Sequence, residues 1–135
     1  SSPLTIRVTF DGALLEELET RPPIRVAELG DVQLRAGGER TTTIAWGQPM
    51  EVRVAVDKHD AAQPAEVTLL VRRKIRYWFD TDDERASTVL PVGAAGAYEL
   101  TWAFVPDPTR RDSTQGYELE VWINGCRGYR SGLIE

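Results

Sequence analysis

The chain has 135 residues, 41% of them hydrophobic and 27% charged, with 16 basic against 21 acidic side chains and a net charge of −5. That length makes about one domain, able to bury roughly two thirds of its unfolded surface in a single core, and the composition is far from that of a disordered chain. The acidic balance argues against nucleic acid as a partner, because phosphate binding rests on an excess of Lys and Arg. No apolar run approaches the roughly 20 residues that cross a bilayer, and none has the form of a signal-peptide core. Cys126 is the single cysteine, so there is no internal disulfide, which with the missing signal favours a cytoplasmic location. The opening Ser1-Ser2-Pro3 suggests a processed chain or a piece of a longer one.

Leu4, Ile6, Val8 and Phe10 alternate with polar residues, which predicts a first strand. Leu14, Leu15 and Leu18 instead share a helical face behind Asp11 as N-cap, so a helix of about two turns is expected over Ala13 to Glu19, stopped by Pro22-Pro23. Ile24 to Leu29 and Val32 to Arg35 read as two strands parted by Gly30-Asp31, and Arg40 to Trp46 as a third. Met50, Val52, Val54 and Val56 form an inward row.

The longest alternating stretch runs from Glu66 to Phe79. One face carries Val67, Leu69, Val71, Ile75, Tyr77 and Phe79, interrupted by Arg73, and the other carries Arg72, Lys74, Arg76 and Trp78, which predicts one long half-buried strand or two joined at a bulge near Arg73. Residues 80 to 84 read as a charged loop with a capping box from Thr81 to Glu84, and Ser87 to Val92 as a short edge strand. Tyr98, Leu100, Trp102 and Phe104 alternate cleanly, Pro106 to Gly116 reads as a mobile loop, and Tyr117, Leu119, Val121 and Ile123 alternate again. Asn124-Gly125 is a strong type I′ hairpin signal, with Cys126 to Ile134 returning as the last strand.

Short strands at regular spacing with one minor helix predict an all-β fold: an antiparallel sandwich spanning residues 1–135, with 1–23 as an N-terminal strand and helix and 24–135 as the main body. Gly47-Gln-Pro-Met-Glu-Val-Arg-Val-Ala-Val, Ala97-Tyr-Glu-Leu-Thr-Trp and Gly116-Tyr-Glu-Leu-Glu-Val-Trp-Ile give this body a cadence that resembles immunoglobulin-like and fibronectin-like modules. The same cadence looks like the polysaccharide-binding domains attached to some bacterial O-antigen export ATPases. These resemblances imply architecture and leave function to the surface.

Recognisable chemistry is sparse. His59 lacks companion ligands for a metal in its own segment, and Cys126 lacks flanking groups, other than Arg127, that would activate it as a nucleophile with His59 as base. Asp80, Asp82 and Asp83 supply clustered hard oxygens that suit calcium, though without EF-hand spacing; no other cofactor is expected. No nucleophile elbow, phosphate loop or carboxylate pair stands out, so enzyme activity is not expected.

What is left is a sheet face. In an immunoglobulin-like arrangement the strand from Glu66 pairs with Tyr117 to Ile123, setting Arg72, Lys74, Arg76 and Trp78 beside Glu118, Glu120 and Trp122. Either these charges form a solvated ladder or the tryptophans anchor a partner. Pairing opposite charges puts Glu118 against Arg76, Glu120 against Lys74 and Trp122 against Arg72, with the two indoles about 20 Å apart and a cation–π contact at Trp122. The resulting expectation is a non-catalytic module, in a larger bacterial protein or assembly, that recognises another protein or domain. A carbohydrate-binding module that stacks polysaccharide on its tryptophans is the second reading, and a hydrolase or calcium-dependent enzyme the last.

Overall fold

A computed structural model describes residues 5–11, 26–76, 81–90 and 95–135. Among these residues nine strands form two sheets, antiparallel at every pairing. They are β1 (Thr5–Asp11), β2 (Ala27–Ala36), β3 (Glu39–Arg40), β4 (Met50–Lys58), β5 (Ala65–Ile75), β6 (Thr81–Leu90), β7 (Gly96–Phe104), β8 (Thr114–Ile123) and β9 (Cys126–Arg130). The first sheet runs β1-β7-β4-β2-β3 and the second β6-β5-β8-β9. The all-β expectation therefore holds, and β1 is the N-terminal strand that alternation predicts. The helix expected at Ala13 to Glu19 lies outside the described residues.

The core is made by the alternating rows. Val52, Val54, Leu100 and Trp102 from the first sheet meet Val67, Leu69, Val71, Leu119 and Val121 from the second, each 2% exposed or less. Ile123 is only partly buried, because it sits at the end of β8 beside the hairpin. Asn124 and Gly125 make that hairpin with φ of 49° and 79°, the doubly positive geometry a type I′ turn requires.

Four local expectations are corrected. Gly30-Asp31 does not separate two strands. β2 runs through it with a bulge between Leu29 and Val32, because Gly30 lets the backbone lie close over Ala55, where a Cβ would come within 3.3 Å of the Ala55 Cβ. The strand expected over Arg40 to Trp46 stops at Arg40. Thr43 donates its backbone N–H to Thr41 Oγ1 at 3.2 Å, a side-chain turn that competes with ladder bonding. The loop expected at 80 to 84 is strand from Thr81 onward, in a register that sets Asp83 opposite Arg72 and Asp82 opposite Arg73. The segment Pro106 to Gly116 is not a mobile loop. It holds a 3₁₀ helix at Pro108–Ser113, capped by Asp107, which accepts from Thr109 N at 2.9 Å and Thr109 Oγ1 at 2.7 Å, and then β8.

Arg73, the polar interruption of the inward row, is 9% exposed and donates from Nη1 to Thr114 Oγ1 at 2.9 Å. The register irregularity lies between Lys74 and Ile75, near Arg73 and within one continuous strand.

Candidate functional site

The outer face of the second sheet carries the molecule's densest charge cluster among the described residues. β5 and β8 are neighbours, and their even-numbered residues point away from the core. Their register is not the expected one, which sets Glu118 against Arg76, Glu120 against Lys74 and Trp122 against Arg72. Glu118 stands opposite Arg72, Glu120 opposite Leu70, and Trp122 opposite Thr68, while Lys74 faces Gly116. Relative to the expectation, β5 has slid by four residues. An even slip keeps every side chain on its own face, so the hydrophobic pattern does not select between the two registers. The hairpin and the bulge select it. Asn124 accepts Glu66 N at its Oδ1 (2.9 Å) and donates its own N–H to Glu66 O (2.9 Å). At the other end Gly116 admits the C-terminal segment, whose Ile134 carbonyl would lie 2.6 Å from any Cβ there.

With this register the ion pairs form diagonally. Lys74 Nζ lies 3.0 Å from Glu118 Oε1, and Arg72 Nη1 lies 3.5 Å from Glu120 Oε2. The edge strand β9 adds a second cation to each carboxylate. Arg130 reaches Glu118 Oε2 through Nε and Nη2, both at 3.2 Å, and Arg127 Nη1 lies 3.6 Å from Glu120 Oε2. Glu118 and Glu120 are thereby buried, with side chains 5% and 4% exposed, beneath cations that remain 30–52% exposed. The bond from Lys74, aided by Arg130 and opposed by burial, holds the Glu118 carboxyl below its ordinary pKa. Four cations over two anions leave this group with a net charge of +2 on a chain whose total is −5.

Arg72, Lys74, Glu118, Glu120 and Trp122 are thus brought together. Arg76 turns off the face: its backbone N–H donates to Ser113 O at 2.7 Å and its Nη2 to Thr114 O at 3.3 Å. Trp78 and Asp80 lie outside the described residues, as do the side chains of Asp82 and Asp83, whose backbone is in β6. Among the described residues no three His, Cys, Asp or Glu side chains gather as a metal-holding group. His59 Nε2 instead meets Glu28 Oε2 at 3.4 Å. Trp122 is not set against Arg72. Its Nε1 donates to Glu120 Oε1 at 3.0 Å, its β9 partner is Arg127, and it walls a depression of about 290 Å³ with Glu66, Thr68, Leu70, Arg85 and Gly125.

Two features escaped the sequence reading. Arg127 and Arg130 belong to the site because β9 folds back beside β8. The Asn124-Gly125 turn signals that return, but a register shift between Val121 and Trp122 decides which arginine meets which glutamate. Lys58 ends the inward row of β4 fully buried, and burial lowers its pKa against the pull of Asp60.

No family model matches the chain, and no curated protein matches it. Among solved structures it is similar in fold to the Pseudomonas fluorescens alkylpurine DNA glycosylase AlkC, seen bound to DNA containing an abasic site analogue. The TM-score is 0.54 at 13% identity, over 78% of this chain and 29% of that one. The chain therefore spans less than a third of the length of the protein it matches. This likeness overturns three expectations: a non-catalytic protein- or sugar-recognition module, the absence of enzyme function, and the exclusion of nucleic acid. A DNA-bound glycosylase contains a region of this fold, and the exclusion rests on a net charge summed over the whole chain. Locally, the outer sheet face reverses that sign. Among the described residues no helix is long and apolar enough to cross a membrane.

Proposed function

We propose that this chain is the β-sandwich part of a DNA-acting enzyme of the base-excision class and that the outer face of β5, β8 and β9 is where it engages DNA. The observation that carries this reading is the outward display of Arg72, Lys74, Arg127 and Arg130 above two buried glutamates, on a fold shared with a DNA-bound glycosylase. The glutamates hold the cations in fixed positions and neutralise only part of their charge, so little side-chain freedom remains to be lost when phosphates arrive. Each phosphate neutralised releases counterions, which makes such binding sensitive to salt.

The architecture in this proposal is immunoglobulin-like, with residues 1–135 as one sandwich. The order β2-β4-β7 against β6-β5-β8-β9 corresponds to strands A-B-E against C′-C-F-G of that fold, with β1 taking the edge position of strand D. Tyr117, 7% exposed near the start of β8 and tilted against Trp46 and Phe104 with ring centroids 5.8 and 6.3 Å away, lies at the position where such domains carry their corner tyrosine.

The test is a titration of the chain with duplex DNA containing an abasic-site analogue, alongside a base-release assay on DNA carrying an alkylated purine. Engagement of two to four phosphates should make log K fall with log salt at a slope of about −2 to −4. Absence of both binding at low salt and base release would overturn the proposal.

A further inference from the structure

The cation rows share their face with the Trp122 depression, and that combination distinguishes between forms of DNA. By alternation Thr68 and Leu70 of β5 form its floor, Trp122 of β8 one wall and Arg85 of β6 the other, with Glu66 and Gly125 at the hairpin end. Leu70 points outward by alternation yet is only 3% exposed, so its neighbours cover it. The hydrogen bond from Trp122 Nε1 to Glu120 Oε1 at 3.0 Å fixes the indole at its edge and leaves the ring as a wall. A volume of about 290 Å³ is at the small end for ligand pockets, about 300–1,000 Å³, and suits one planar heterocycle. From this depression the cations continue along the sheet. Trp122 pairs across β8–β9 with Arg127, and Glu120 with Arg130. The glutamates that gather the cations are two residues apart, about 7 Å along the strand, so the positive charge is laid out as two steps rather than one point.

A base inside a duplex presents its edges, not its faces, and reaches an aromatic wall only when it leaves the stack. A single strand offers both faces and phosphates to one shallow surface, the combination that single-strand binders meet with aromatic side chains and a cationic track. We infer that this face takes a single DNA strand in preference to a duplex, one unpaired base entering the Trp122 depression while the adjoining phosphates follow the cation pairs gathered at Glu120 and Glu118. This inference rests on the reading of the chain as DNA-engaging. Charge complementarity selects the occupant: among the described side chains of this face five cations, Arg72, Lys74, Arg85, Arg127 and Arg130, face three anions, two of them buried.

The experiment is fluorescence anisotropy with a labelled 12-nucleotide oligothymidine and a 12-base-pair duplex, at 50 and 200 mM salt, on the whole chain and its Trp122→Ala, Trp122→Phe and Arg130→Gln variants. The oligothymidine should bind more tightly than the duplex. Loss of the stacked base in Trp122→Ala should weaken it about 5- to 150-fold with the salt slope unchanged, and Trp122→Phe should recover most of that loss. Arg130→Gln should lower the slope by about 0.7. Equal or tighter duplex binding, or Trp122→Ala matching the parent chain, overturns the single-strand inference and leaves the proposed function standing. Should Trp122→Ala fail to fold, the strand-against-duplex comparison on the parent chain decides alone. No binding of either oligonucleotide at 50 mM salt overturns both.

Discussion

Glu118→Gln isolates what the buried carboxylates contribute. Glu118 accepts from Lys74 Nζ at 3.0 Å and from Arg130 Nε and Nη2 at 3.2 Å, with its own side chain 5% exposed. Breaking a buried ion pair from one side costs about 3–5 kcal/mol. Here Lys74 and Arg130 are 36% and 52% exposed, so water takes up much of what they lose, and the expected cost falls to about 1–3 kcal/mol. For a chain of this size that lowers the melting temperature by about 3–10 °C. The sign of the pH dependence follows from the lowered pKa of Glu118 in the folded state. Its stabilisation is complete above the unfolded-state pKa of about 4.3 and is lost as pH falls through the lower folded value. Urea unfolding followed by tryptophan fluorescence should therefore show the cost of Glu118→Gln in full at pH 7 and shrinking below pH 4. A cost within the about 0.5 kcal/mol of ordinary surface substitutions, or one that stays flat to the acid limit of folding, would refute the reasoning.

Leu100 is wholly buried between β1 and β4 on the inward side of β7, so Leu100→Asp should abolish the cooperative unfolding transition and Leu100→Ala should cost about 2–5 kcal/mol; a folded Asp variant of parental stability would contradict the assigned core. A Cβ at Gly116 would lie 2.6 Å from the Ile134 carbonyl oxygen, whereas at Gly128 it would meet Leu29 Cδ1 at 2.5 Å. A side-chain end can rotate away and a backbone oxygen cannot, so calorimetry should find Gly116→Ala the more destabilising, by more than the about 1–3 kcal/mol of ordinary overpacking; the reverse order would refute this. Burial lowers the pKa of Lys58, so the unfolded chain holds more protons between that value and about 10.4 and stability should rise with pH across that window. Lys58→Met should flatten the rise in a series of urea titrations, and an unchanged slope would refute the assignment.

Alternation alone determined which side chains form the core. Val52, Val54, Leu100, Leu119 and Val121 are buried because successive strand residues point to opposite faces, a property local to each strand. The Asn124-Gly125 turn was legible for a similar reason, since positive φ at two adjacent residues is a demand a dipeptide can meet by itself. The strand over Thr81–Leu90 was harder to see: its acidic start resembles a loop until it lies beside Arg72 and Arg73. The site needed the tertiary structure. Alternation puts Arg72, Lys74, Glu118 and Glu120 on the outward face, but an even slip preserves every facing, and the contacts at Asn124 and Gly116 choose among registers. Nor does a glutamate on an outward strand position declare itself buried. Glu118 and Glu120 are buried because β9 folds Arg130 and Arg127 over them, and the local positive field that results is invisible to a net charge of −5, which sums charges without regard to where the fold sets them.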